Sequence, residues 1–305
     1  MRGIIALAGI VFLVGCGHST RPAIPAPRVG PGPALGPAPS AFPALVVPAA
    51  RSAADAAAAY ARNTSVVGSG MSGPNGLAID AGGNLYESDY YRGTVTRVTP
   101  SGETSPYASG FSGPAGLAFM PDGSLLVACY ESHQLARIQP GGGAHRPLAA
   151  SGLQNPVWPA VDGRGRIFLA DYNNNRIARV AEDGSLSTFA SVPGVNAIAV
   201  DSQDALWVTT WSGEVVRLSP DGSRMNVASG IGSACGIAWS PSYLAVVTYG
   251  GENSRNGSLL LVDFSGRTYP VASPLDRASS VLFDREGNLY TANIGDTGLR
   301  KFALR

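Results

Sequence analysis

The chain is poor in the side chains that most often carry chemistry. Its 305 residues include three cysteines and three histidines. His18 lies in a proline-rich stretch, and only His133 and His145 fall in the body of the chain. That argues against a histidine-rich metal site and leaves no Ser-His-Asp arrangement to assemble. Charge is scarce too, at 14% of residues, and balanced: 22 Lys and Arg against 21 Asp and Glu give a net charge of +1. With no basic stripe along the chain, there is no electrostatic footprint for nucleic acid. No apolar run reaches the roughly 20 residues a membrane-spanning helix needs. Strong helix formers are rare beyond residue 62, so no glycine-rich phosphate loop leads into a helix.

What is present begins with an address. After Arg2, residues 4–14 form an apolar stretch interrupted only by Gly9, of the length of a secretory signal core. It ends in Leu13-Val14-Gly15-Cys16, which resembles the lipobox of bacterial lipoproteins. The resemblance implies removal of residues 1–15 as a signal peptide and lipidation of Cys16. Acyl chains at about 0.8 kcal/mol per buried methylene would hold the protein durably on the outside of a bacterial membrane. Gly17 stands where an Asp would resemble an inner-membrane retention signal. Residues 16–62 read as a linker: positions 18–48 are dominated by Pro, Ala and Gly without apolar period and should stay extended. The alanine-rich stretch 49–61 is either a short helix or more linker with helical bias, and the linker reading is adopted.

The remainder, residues 63–305, repeats one unit six times. Gly73-Pro74-Asn75-Gly76-Leu77-Ala78-Ile79-Asp80 aligns with Gly113 to Met120, Asn155 to Asp162, Gly194 to Asp201, Cys235 to Ser240 and Ser279 to Asp284, at spacings of 39 to 44 residues. A second and a third short apolar segment follow each, then a turn signal such as Asp183-Gly184 and a fourth. Four short strands at this period describe a propeller blade. The sixth unit stops after three strands, and Thr64 to Gly70 has the character of the missing one. The expected fold is therefore all-β, a six-bladed propeller of four-stranded blades, with the last blade closed by the N-terminal strand and no exposed edge left.

Ala170-Asp171-Tyr172-Asn173-Asn174-Asn175-Arg176-Ile177, preceded by Gly165-Arg166-Ile167-Phe168, resembles the NHL repeat, and Gly83-Asn84-Leu85-Tyr86 and Gly287-Asn288-Leu289-Tyr290 match its opening. More distantly, the chain is similar to propeller enzymes of the gluconolactonase and senescence-marker type. That resemblance implies a divalent metal, calcium or zinc, at the channel mouth, held by Glu, Asn and Asp. Here the positions equivalent to Asn75 are Ala115, Val157, Asn196, Cys235 and Ser279. Only Asn75 and Asn196 match, and a hard cation usually needs a carboxylate. No cofactor is expected, with calcium or zinc as the alternative.

Five residues after the start of each second strand come Tyr90, Tyr130, Tyr172, Trp211 and Tyr249, broken only by Ile294. They read as a stacking ring for a ligand, as packing between blades, or as both. Glu87 stands where the other repeats carry Val127, Leu169, Val208, Val246 and Thr291. It reads as half of a buried ion pair with an arginine or, if it reaches the channel, as an acid or base. Arg97, Arg137, Arg179 and Arg217 recur on third strands and read as partners of turn carboxylates. Cys129 and Cys235 belong to blades two and five, farther apart than the roughly 7 Å a disulfide allows. The loop 252–256 and Asp296 are candidate contact points.

Two functions fit. One is a monomeric, lipid-anchored binding propeller offering Asn75, Asn196, Ser279, Glu87 and the five aromatics to a protein, peptide or glycan. The other is a metal-dependent hydrolase or lactonase acting at the channel. The binding reading uses every feature, tether included. Cys16→Ser is expected to abolish incorporation of labelled palmitate and to move the protein from the membrane fraction to the soluble one; labelling that persists in the variant would remove the anchor.

Overall fold

The computed structural model describes residues 52–250 and 255–304. The signal segment, Cys16 and the linker up to residue 51 lie outside them, as do Glu252, Asn253 and Ser254. Among the described residues no helix is long and apolar enough to cross a membrane.

Each repeat folds into one four-stranded antiparallel sheet, and there are six. Blade one comprises Pro74–Ile79, Leu85–Asp89, Thr94–Val98 and Thr104–Ser109, and blade two Pro114–Phe119, Leu125–Cys129, Gln134–Ile138 and His145–Ala149. Blade three is Pro156–Val161, Ile167–Asp171, Arg176–Val180 and Leu186–Ser191, and blade four Val195–Val200, Leu206–Thr210, Val215–Leu218 and Arg224–Ala228. Blade five is Ala234–Trp239, Leu244–Thr248, Gly257–Val262 and Thr268–Leu275. Blade six takes Ala278–Phe283, Leu289–Asn293 and Leu299–Phe302 from the end of the chain and Thr64–Val67 from its beginning, paired from Thr64↔Phe302 to Val67↔Leu299. First strands pack on first strands around the whole ring. Second strands are buried along their full length because both faces meet a neighbouring blade, which explains their continuous apolar runs. The core accordingly lies in the seams between blades, as in the cluster of Leu77, Leu85 and Val98 with Tyr290, Ala292 and Leu299 that joins blades one and six.

Turns between first and second strands define the lower face. There Asp80, Asp201 and Asp284 accept backbone N–H groups of their own turn and hold Tyr86, Trp207 and Tyr290 by the polar tip. The third-strand arginines divide according to whether such a carboxylate is available. Arg217 reaches Asp201 at 3.3 Å, and Arg137, whose blade has Met120 in the aspartate position, pairs with Asp122 instead. In blade three Asp162 is engaged by Arg166 at 2.5 Å and Arg179 stays exposed. In blade one Asn84 and Tyr86 occupy Asp80, and Arg97 Nε is buried without a partner.

The linker assignment fails at its last ten residues. Ala53–Arg62 is a helix, capped by Ser52 Oγ accepting from Asp55 N–H at 3.1 Å, with Asp55 in its first turn and Arg62 in its last to complement the helix dipole. Ala53, Ala56, Ala57, Ala59 and Tyr60 are buried against the outer strands of blade five. Alanine gives the best helix propensity and lets the backbone approach the sheet closely. Tyr60 anchors the helix: its hydroxyl donates to the Gly287 carbonyl and lies 3.4 Å from the Tyr243 hydroxyl. The folded unit thus includes residues 52–62, and the helix sits at the lower side of blades five and six. Tyr60→Ala is expected to cost about 3–5 kcal/mol in denaturant unfolding, and Tyr60→Phe about 1 kcal/mol; no loss in Tyr60→Ala would mean that the helix is not docked.

Candidate functional site

The channel mouth is shaped by a defect repeated six times. In every blade the ladder between first and second strands shifts register near the start of the first strand: between Pro74 and Gly76, Pro114 and Leu117, Pro156 and Trp158, Val195 and Ile198, Ala234 and Gly236, Ala278 and Ser280. An extra residue in a ladder bends the strand and re-aims a side chain. The residues caught in these shifts include Asn75, Ala115, Val157, Asn196, Cys235 and Ser279, the six positions that the repeat register places at the channel entrance. In blades one and four a hydroxyl on the second strand satisfies an N–H group that the irregularity leaves over and ties the blade to the next. Gly76 N–H donates to Ser88 Oγ at 2.8 Å and Ser88 in turn donates to the Ala115 carbonyl at 2.5 Å; Ala197 N–H, Thr209 Oγ1 and the Cys235 carbonyl repeat the link. Inner strands come so close here that a Cβ on Gly76 would lie 2.1 Å from the Ala115 oxygen.

This geometry separates the predicted mouth residues. Ser279 is 7% exposed, and its hydroxyl is hydrogen-bonded to the carbonyls of Asn75 at 2.9 Å and Ala292 at 3.2 Å, closing blade six onto blade one. It is a clasp more than a ligand group. Asn196 is equally buried, with its amide 3.4 Å from the Ala234 carbonyl. Asn75 is half-buried, and among the described residues its amide has no hydrogen-bond partner. Cys235 is buried and Cys129 likewise; both are free thiols, and burial pushes them up to about 12 and about 11 respectively. Among the described residues no three His, Cys, Asp or Glu side chains converge as a metal site would require.

Tyr90, Tyr130, Tyr172, Trp211 and Tyr249 stand at the start of the upper-face loops, each half-buried. Neighbours pair across seams: Tyr90 and Tyr130 at 6.4 Å between ring centres, Trp211 and Tyr249 at 5.7 Å. Four of the five aromatics thus pack ring to ring across a seam while staying partly open to solvent. Tyr90 donates its hydroxyl to Glu131. Burial raises the Tyr172 hydroxyl above its ordinary value, and the Cys235 thiol adds to the rise. In the gap left by Ile294 stand charges: Arg277 bonds Asp276 at 3.0 Å, and Arg255 reaches the same carboxylate at 3.2 Å. Asp296 is taken up by Arg300 and Asn293, each at 2.7 Å.

Sequence reasoning missed a polar network between blades two and three. Asn155, in the left-handed conformation, donates its N–H to His133 Nδ1 at 2.9 Å and its side-chain amide to the Tyr130 carbonyl at 3.1 Å, and accepts from Asn173 at 2.6 Å. The bond to Nδ1 leaves the proton of a neutral His133 on Nε2, and the side chain is exposed. The signal was available in the same register: Glu131, His133 and Asn173 follow the aromatic in its loop, and Asn155 and Arg277 precede their first strands.

Glu87 is neither paired nor at the mouth. It is fully buried, and neither carboxylate oxygen has a hydrogen-bond partner. Its cross-strand neighbour is Leu77 and it alternates with Leu85, both in the apolar seam between blades one and six. Burial raises its pKa well above the ordinary value of 4.5, and Asp89 adds to the rise while Arg92 offsets part of it. The expected ion pair is absent because Arg92, the nearest candidate, turns to Asp89 at 3.9 Å and to the Gly70 carbonyl.

The profile of the NHL repeat matches residues 111–138, within blade two. No curated sequence matches the chain significantly. Solved structures of similar fold include a gluconolactonase from Xanthomonas campestris, 19% identical with a TM-score of 0.67 over 78% of this chain and 88% of that one. A virginiamycin B lyase from Staphylococcus aureus is 16% identical, with a TM-score of 0.61 over 79% of this chain and 85% of that one. The PQQ-bound aldose sugar dehydrogenase from Streptomyces coelicolor is 16% identical, with a TM-score of 0.62 over 78% and 97%. At these identities the likeness is one of fold.

A carboxyl whose proton is held more tightly in the folded chain contributes full stability below its unfolded value near 4.5 and loses it as pH rises toward the folded value. The protein is therefore expected to lose stability above about pH 4.5, by about 1.4 kcal/mol for each tenfold difference in proton affinity. Glu87→Leu, the residue blade three carries there, should remove that slope and gain about 1–3 kcal/mol at pH 7 in urea unfolding; a variant less stable than the parent at pH 7 would mean that the carboxylate is satisfied.

Proposed function

We propose that this chain is a lipid-anchored, extracytoplasmic binding propeller whose upper face takes a protein, peptide or glycan ligand. The observation that carries the reading is the rim: five half-buried aromatic side chains in equivalent positions of five blades, with Arg277 and Asp276 at the sixth. Rigid rings with one face packed and one edge wet lose little entropy on binding and are typical interface anchors. The Asn155–His133–Asn173 network and the Tyr90–Glu131 bond hold donors and acceptors between them in fixed directions. Cys16 and the spacer after it supply the tether.

A second reading, a metal-dependent hydrolase or lactonase, is favoured by one observation: the unengaged amide of Asn75 at the channel entrance of a fold that a gluconolactonase shares. Asn75 and Asn196 would then be the protein's share of an ion site otherwise completed by water and substrate. Two measurements separate the readings. A photo-crosslinking benzoylphenylalanine placed at Tyr172 in an intact bacterial envelope is expected to form discrete adducts, and one at the exposed Val66 none. Residues 52–305, assayed for lactone hydrolysis with calcium or zinc, should show no stimulated turnover. Metal-stimulated hydrolysis lost in Asn75→Ala, with no adducts at residue 172, would decide for the enzyme.

A further inference from the structure

We infer that the lower face carries a separate ligand site, a carbohydrate-binding groove at the seam between blades four and five that takes a neutral sugar ring. The groove measures about 360 Å3, at the small end of the range for ligand sites. Its open wall is Phe264, Met225 and the half-buried Trp239, set on a Trp207 that is itself 4% exposed, and its polar lining includes Asp201, Gln203 and Arg217.

The internal repeats show that the fold does not require this surface. Phe264 occupies the turn position filled elsewhere by Pro100, Pro140, Glu182 and Pro220, and Met225 the fourth-strand position filled by Ser105, Arg146, Ser187 and Tyr269. Four sibling blades fold with small, polar or part-polar residues at these places. Here two apolar side chains stand 43% and 52% exposed, and they are two of the four large hydrophobics exposed among the described residues. Two such departures meeting in one groove are a feature of that seam alone. At the seam of blades one and two the comparable aromatics close on one another, Tyr86 against Tyr107 at 4.7 Å and against Phe119 at 5.0 Å, and leave no open platform.

The platform is rigid. Trp207 donates its indole N–H to Asp201 at 3.0 Å, Arg217 lies over its ring at 5.6 Å, and the Phe264 ring leans on it at 5.4 Å. Arg217 is itself held by Asp201 at 3.3 Å, Ser219 at 3.4 Å and Gln203 at 3.5 Å. Asp201 and Arg217 are the only charged residues in the lining, so the groove is electrically balanced and offers no gain to an anion or a cation. An aromatic and thioether wall beside a fixed row of carboxylate, amide and guanidinium suits a molecule with an apolar face and a hydroxyl-bearing edge. A pyranose ring has that shape.

The test uses the full-length chain carrying Trp211→Phe, so that the groove's Trp207 and Trp239 and the buried Trp158 are the tryptophans left to report. Maltotetraose, cellotetraose and chitotetraose are titrated against its emission, with tetragalacturonate as the charged control. At least one neutral tetrasaccharide is expected to give a saturable change. Phe264→Pro with Met225→Ser, which installs the residues of sibling blades and should leave the melting temperature unchanged, is expected to weaken it about tenfold or more. Three results would each overturn the site: no saturable response to any neutral sugar, a response undiminished in the double variant, or tetragalacturonate bound as tightly as the neutral sugars.

Discussion

The pairing of Thr64–Val67 with Leu299–Phe302 is the contact on which the remaining architecture rests. A propeller blade buries both faces against its neighbours, so a ring left open at one seam would expose two apolar sheets at once. Four residues from the start of the chain prevent that. Ser279, with its hydroxyl against the carbonyls of Asn75 and Ala292, makes a second closure at the inner end of the same blade. Glu87 sits in the seam these two closures seal, and it brings there an unpartnered carboxyl that every other seam avoids.

Much of this was legible in the sequence because the same message is written six times. Strand order, blade number and the closing strand follow from register alone, and so does the recurring aromatic at the loop start. The helix Ala53–Arg62 was not legible as part of the fold: alanine carries little hydrophobic signal, and its burial depends on the flank of blade five, which no local pattern describes. Glu87 stood out against Val127 and Leu169, but whether a partner reached it was a question of three-dimensional placement. Ser279 looked like a lining residue, and the register shift beside it turned its hydroxyl to neighbouring carbonyls. The meeting of His133, Asn155 and Asn173 went unread because, although each stands at a fixed offset from a repeating position, their residue types are particular to one seam and their contact depends on how blades two and three stack.

The two ends of the channel differ in kind. At the upper one, aromatics recur by register and the polar groups between them are particular to each seam. At the lower one, turn aspartates recur and hold the tips of Tyr86, Trp207 and Tyr290, while the two strongly exposed apolar side chains, Phe264 and Met225, meet at one seam. On the lower face, therefore, regularity marks what the ring needs to stay closed, and the departures at Phe264 and Met225 mark where the surface is free to recognise something.

The docking of Ala53–Arg62 also fixes a line of force. From Ser52 the chain reaches the ring beside the lower turns of blades five and six, first through Tyr60 and then through Thr64 at the lower end of the closing strand. Tension between Ser52 and anything gripped at the upper face would load the Tyr60 anchor first. Only after the helix had peeled away would it begin to unzip Thr64 from Phe302, one residue pair at a time. Under a pull on Ser52 the alanine helix would therefore give way ahead of the one strand whose loss would open the ring.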